Sequence, residues 1–325
     1  MDYQDIKDLQ QPLTGLRNVF IRLTEEHRPA LWKYCHRLTG NALDAEDLVQ
    51  DTLLRAFAKL AYLGQALNAR AYLFRMATNC WLNQNEKKTI SIETSVLPAN
   101  IQDAATEEQD ISEAMEWLVR FLPPKQRVAF LLSTSFDFSN KEIADLMGTS
   151  EGTVKSYLHR ARKTLAAEAE RNYENDKPTV TGLAAPNELV KKYLAAFNRL
   201  DVEGLLSLMD ENATSTITGD WMEMGKEEIK NNSLHYWALD TVEKWAEFGY
   251  LDGLPVIYGF RKNETGENSL REIILLQHDD KSIYAINWHF FTRDLVQYAA
   301  AKLNLPCIVE GYQYEAAALP ATEGE

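Results

Sequence analysis

From Thr153 to Leu165 the chain reads TVKSYLHRARKTL, with Lys155, His159, Arg160, Arg162 and Lys163 and no acidic residue. In a chain of net charge −14, such a run is not an effect of composition. Cations on one helix face release counterions from each phosphate they neutralise. An Arg or Lys that reaches a base edge discriminates by about 1–3 kcal/mol. A merely solvated basic helix is the plainer alternative, and the setting of the run decides against it. Ser139 and Glu142 have capping-box spacing, which opens a short helix at about Asn140. Ile143, Ala144 and Met147 recur at helical spacing, and Gly148 supplies the backbone freedom for a sharp exit. Thr149 and Ser150 are placed to cap a second helix that buries Val154, Tyr157 or Leu158, Ala161 and Leu165. Small Ala144 lets the two helices approach. The stretch is a helix-turn-helix whose second helix reads duplex DNA.

A chain of 325 residues suggests two or three domains. Residues 1–180 hold 22 Lys and Arg against 25 Asp and Glu, a net −3; the remainder holds 12 against 23, a net −11. The acidity therefore sits in the second half. Cys35, Cys80 and Cys307 lie far apart, so neither a disulfide framework nor a zinc site is implied. No signal peptide and no bilayer-length apolar run is present, so a cytoplasmic protein without membrane contact is expected.

Ahead of the helix-turn-helix, residues 13–40 have a helical pattern interrupted near Pro29 and ended by Gly40-Asn41. A second helix is expected from Asp44 to about Leu63, with Leu48/Val49, Leu53, Phe57 and Leu60 inward. Its outer face carries Asp44, Glu46, Asp47, Gln50 and Asp51; solvation and complementarity to the helix dipole would account for that face alone. After a break at Gly64-Gln65, a third helix from about Ala69 to Lys88 buries Leu73 or Phe74, Ala77 and Trp81. It exposes Arg70, Arg75, Asn79, Asn83 and Asn85.

These helices carry a resemblance. DAEDLVQDTLLRAFAKL followed by ARAYLFRMATNCWLNQNEKK resembles region 2 of bacterial sigma factors of the extracytoplasmic-function group. Leu122–Leu165 resembles region 4 of the same family. The resemblance implies two all-α domains and two partners, core RNA polymerase through its β′ and β subunits and promoter DNA. Asp44, Asp47, Leu48, Gln50 and Asp51 fall where the family grips the β′ coiled coil. Tyr62, Gln65, Asn68, Arg70, Tyr72, Arg75 and Asn79 fall where the −10 element is opened and read. There Tyr62 and Tyr72 would offer stacking faces to a flipped base, and Arg70 and Arg75 would hold the backbone. Core packing is the competing role for Tyr72 and, more strongly, for Trp81. The loop AYLGQALN departs from the family's polar pattern, which leaves the −10 preference open. The −35 set is Thr153, Lys155, Ser156, His159, Arg160, Arg162 and Lys163. Between the two regions, Thr89–Glu116 has seven acidic residues and no Lys or Arg. It reads as a linker that in the family threads toward the polymerase active site and RNA exit channel; an ordinary acidic tether is the alternative.

After a polar linker with Pro178, Gly182 and Pro186, the second half reads as two helices, a strand at Thr214–Thr218, a helix at Lys226–Trp237 and four strands. That order gives an α+β domain with a curved mixed sheet, similar to the SnoaL-like, polyketide-cyclase type of cone. Domain boundaries follow as 1–90, 91–112 (linker), 113–171, 172–186 (linker) and 187–318. Cones enclose a pocket, for which Trp221, Tyr236 and Trp288 are the candidate walls, with a small ligand as a possible occupant. The sequence places no acid/base pair together, so no catalytic residue, cofactor or metal is assigned and an enzyme is not expected. The acidic second half is instead expected to dock on the basic DNA-reading elements of the first half and to regulate them in cis. A free-standing helix-turn-helix regulator with a ligand-binding domain, or a bifunctional protein with a cyclase-like half, are the competing classes.

Overall fold

Two residues punctuate the first helices. Pro29 lies in the first turn of α2 (Arg28–Thr39), where its missing N–H is not needed, and Gly40 ends that helix at a left-handed φ of 89°. The computed structural model describes residues 3–60, 62, 68–91, 119–173 and 185–309. They fall into two compact units, one helical up to Tyr173 and one mixed from Glu188 onward.

The helical unit comprises α1 (Tyr3–Thr24), α2, α3 (Ala42–Leu60), α4 (Ala69–Ser91), α5 (Pro124–Ser135), α6 (Asn140–Met147) and α7 (Glu151–Tyr173). α1 starts ten residues earlier than its apolar pattern announces, and runs through Pro12. α3 is displaced toward its N-terminus relative to expectation, because Asn41 Oδ1 accepts the Asp44 N–H at 2.8 Å and lets the helix open at Ala42. α2, α3 and α4 share a core of Leu31, Leu38, Leu48, Val49, Leu73, Phe74 and Ala77. Inside it Arg28 donates Nη2 to Glu46 Oε1 at 2.8 Å, and Gln50 donates to the same oxygen at 2.7 Å.

The helix-turn-helix forms as its caps dictate. Ser139 Oγ accepts from the Glu142 N–H, and the Glu142 carboxylate accepts from the Ser139 N–H at 2.8 Å, completing the capping box. Gly148 takes φ 62° and its N–H reaches the Ala144 carbonyl. The inner side of α6 is Ile143, Ala144 and Leu146; Leu146 replaces the expected Met147, which is half-buried. Val154, Leu158, Ala161 and Leu165 of α7 pack beneath it.

The second unit is an α+β cone. Its helices are α8 (Glu188–Asn198), α9 (Val202–Ser207), α10 (Lys226–Asn231), α11 (Ser233–Leu239) and α12 (Arg293–Leu303). Six strands, β1 (Met209–Ile217), β2 (Trp221–Met224), β3 (Lys244–Leu251), β4 (Leu254–Lys262), β5 (Asn268–His278) and β6 (Ile283–His289), form one sheet ordered β2-β1-β6-β5-β4-β3. Only β1 and β6 run parallel. Register shifts at Gly259/Phe260 and Gln277/His278 curl the sheet, as bulges do. Tyr193, Phe197, Ile229 and Leu234 from the helices fill the concave side together with Ala246, Ile257, Ile274 and Trp288. Edge strand β2 is absent from the sequence reading: WMEM has no β-branched residue, and only pairing with β1 makes it a strand. The expected single helix at Lys226–Trp237 is two, broken at Asn232.

The Arg28–Glu46 pair gives the fold's sharpest test. Both side chains are buried, and Glu46→Ala removes the carboxylate facing a buried guanidinium. Urea unfolding of the intact chain should show the helical unit destabilised by about 3–5 kcal/mol. A loss under about 1 kcal/mol would mean that the pair does not hold α2 on α3.

Candidate nucleic-acid interface

α7 presents its cations outward because its apolar residues recur at 154, 158, 161 and 165 and commit the opposite face to the core. Lys155, Ser156, His159, Arg160, Arg162 and Lys163 are all exposed. Thr153 is half-exposed and tied into the cap: its N–H donates to Ser150 Oγ at 3.2 Å. Arg160 donates Nε to the Ser156 carbonyl at 3.2 Å and lies 5.3 Å over the Tyr157 ring, which holds the guanidinium along the helix surface. The structure thus places the whole predicted −35 set on one helix, six of its seven members freely accessible.

On α3, Asp44, Asp47, Gln50 and Asp51 line the outer face, while Leu48 does not. At 1 % exposure Leu48 belongs to the core, which corrects its assignment to the partner-binding set. The sequence reading also missed Leu54, 65 % exposed and one turn beyond Gln50 and Asp51. Its apolar character hid it among core residues; only the helix phase shows that it points out. Asp51 accepts from Gln84 at 3.3 Å and lies 3.9 Å from Arg55. Asp47 reaches the surface, yet desolvation of its carboxylate, with Asp44, Glu46 and Asp51 nearby, pushes its pKa up to about 6.

The predicted −10 set divides. Arg75 and Asn79 are exposed one turn apart on α4, and Tyr62 is 88 % exposed. Asn68 caps α4, its Oδ1 accepting the Ala71 N–H at 3.0 Å. Tyr72 is half-buried and donates its hydroxyl to the Ala56 carbonyl at 2.9 Å, a packing role that limits any stacking. Arg70 is half-buried against Phe136. Gln65 lies outside the described residues, as do residues 92–118, which take in all but the first residue of the expected linker 91–112.

In the cone, the three candidate pocket residues are not brought together. Trp288 is buried in the core and donates Nε1 to Ser215 Oγ at 3.1 Å, filling the interior beside Phe197. Trp221 and Tyr236 are exposed. A small cavity of about 60 Å³ has other walls, among them Val190, Phe248, Ile257, Ile274 and Leu276. Among the described residues no group of three or more His, Cys, Asp or Glu is placed to hold a metal ion. No described helix is long and apolar enough to cross a membrane.

Comparison with known proteins adds a second line of observation. The family model for Sigma-70 region 2 matches residues 23–89, and that for Sigma-70, region 4 matches residues 112–165. The ECF RNA polymerase sigma factor SigL of Mycobacterium tuberculosis is 35% identical over 152 residues, 44% of this chain and 84% of that protein. The ECF RNA polymerase sigma factor SigG of the same organism is 29% identical over 233 residues, 63% of this chain; the chain spans 62% of that relative's length. The crystal structure of the M. tuberculosis extracytoplasmic function sigma factor SigJ aligns over 89% of this chain and 100% of that one, at 19% identity and a TM-score of 0.34.

The crowding at Asp47 has a measurable sign. Its folded carboxyl holds the proton more tightly than the ordinary value of 3.8, so this site favours folding in acid and its contribution fades as pH rises through about 6. Asp47→Asn should therefore melt above the parent protein at pH 7.5, and the gap should close by about pH 4. Equal melting temperatures at both pH values would show that the like-charge crowding carries no stability cost.

Proposed function

Since the chain belongs to the extracytoplasmic-function sigma factors of the sigma-70 family, we propose that it binds core RNA polymerase and directs initiation at specific promoters. The observation that carries this reading is the outward row of cations on α7, set in a capped helix-turn-helix within a strongly acidic chain. Six accessible polar and basic side chains on one helix suit insertion into a major groove at the −35 element. The acidic face of α3, Asp44, Asp47, Gln50 and Asp51, suits the β′ coiled coil, with exposed Leu54 at its edge as an apolar contact. Tyr62, Arg75 and Asn79 suit a single-stranded −10 element, by stacking and backbone contact.

In this reading residues 1–90 are region 2, 91–112 the linker, 113–171 region 4, 172–186 a second linker and 187–318 a regulatory cone. The cone's role in cis is supported by the −11 against −3 charge asymmetry. Its interior, filled by Trp288 and Phe197, favours a docking module over a catalytic one.

The deciding experiment is transcription in vitro from mapped promoters with core polymerase and the intact chain. Promoter-specific starts are expected only when the protein is added. Lys155→Ala and Arg160→Ala should each weaken promoter binding by about 1–3 kcal/mol where they touch bases. A residue on phosphate instead should lower the salt slope by about one while weakening all sequences alike. Unchanged starts with both variants would remove α7 from promoter recognition.

A further inference from the structure

One residue of the −10 set expected from the sequence, Arg70, is already in use. Arg70 donates Nη2 to the Phe136 carbonyl at 2.5 Å, and its guanidinium stands 4.5 Å from the Phe138 ring and 5.4 Å from that of Phe74. Phe136 and Phe138 lie in the turn that leads into the helix-turn-helix, on either side of Asp137 with its left-handed φ of 59°. Both rings are buried. Phe136 packs edge-on to Tyr34 and Phe74, and Phe138 lies against Phe74. Two more guanidiniums fasten the same seam: Arg127 donates to the Leu38 carbonyl at 2.7 Å, and Arg120 to that of Gly40. Region 4 is thus clamped to the end of α2 and the start of α4.

This arrangement cannot read both promoter elements. Positions −10 and −35 are about 25 base pairs apart, about 85 Å along B-form DNA. A compact unit of about 170 residues has a radius of gyration of about 15 Å and a diameter near 40 Å. The seam has to part before both elements are engaged.

We propose that Arg70 is a latch shared by two competing occupants, the Phe136–Phe138 turn of the closed chain and the −10 strand of the promoter. The closed form spends the guanidinium on a carbonyl and two ring faces. Those are the kinds of contact that a nucleotide's acceptors and base would make with it. Closure lowers apparent affinity for polymerase and promoter by the fraction of molecules that are open. The proposal rests on the −10 role given to α4 above.

The test uses the full chain with fluorophores on Lys33→Cys and Glu151→Cys in a Cys307→Ser background, since Cys35 and Cys80 are buried. Three measurements are made: label separation, affinity for core polymerase, and promoter melting by the assembled holoenzyme. The double variant Phe136→Leu/Phe138→Leu keeps apolar volume and removes the ring faces. It should lengthen the separation and tighten polymerase binding several-fold, with melting unchanged. Arg70→Ala should open the chain in the same way but cut melting roughly tenfold, the scale of one charge-assisted hydrogen bond. Arg70→Lys, which keeps the charge without the planar fork, should open the chain and retain part of the melting. A separation unchanged in Arg70→Ala, or melting equal to the parent's, overturns the latch while the sigma-factor reading stands. Failure of the parent chain itself to bind polymerase overturns that reading and the shared role with it.

Discussion

Four aromatic rings hold the helical unit together. Tyr34, Phe74, Phe136 and Phe138 come from three separate stretches of chain and meet at centroid distances of 4.9–5.3 Å. Each such pair adds about 0.5–1.5 kcal/mol beyond the area it buries. The Tyr34 hydroxyl finds a partner in Thr78 at 2.8 Å, so the cluster leaves no polar cost at that ring. Arg37 and Arg70 flank the rings as cations over π faces. A seam built from ring faces and guanidiniums differs from an interdigitated aliphatic core in one respect. Its contacts have close equivalents among nucleotide bases and phosphates, so it can be exchanged as well as broken.

The outer face of α3 shows the opposite compromise. Asp44, Asp47 and Asp51 share one helix face with buried Glu46 close beneath; desolvation first, and then these neighbouring charges, hold a proton on Asp47 well above the ordinary range. Nothing in folding calls for such an arrangement, and isolated helices are weakened by like charges at this spacing. A cationic partner would relieve it, and binding would then release a proton near neutral pH.

How much of this was legible in the residues depended on whether local chemistry decided the outcome. Ser139, Glu142 and Gly148 fix the helix-turn-helix through short-range hydrogen bonds and one left-handed residue, so the sequence carries it almost to the residue. The cationic face of α7 follows from the same logic. Leu48 and Leu54 differ by six positions and are the same residue type; only the rotation of α3 against α2 and α4 sends one inside and the other out. Strand β2 exists only through its short hairpin with β1, which its own residues do not announce, and the fate of Trp288 depended on pairing with β1 across some 70 residues. The DNA role expected of Arg70 comes from the family resemblance, and its engagement with Phe136, 66 residues away, is a tertiary fact.

The parallel pairing of β1 with β6 has a bearing on how the molecule comes into being. β1 ends at Ile217, and the strand that covers its inner edge does not begin until Ile283. Until that last strand leaves the ribosome, β1 has only the short hairpin with β2, and the cone cannot close. Among the described elements, the helices up to Tyr173 find their main packing partners in one another. At about 5–20 residues per second, the DNA-reading half exists for roughly ten seconds as a finished body before its acidic companion takes shape. Each newly made copy therefore passes through an interval in which the second half exerts no restraint, whatever the finished protein does.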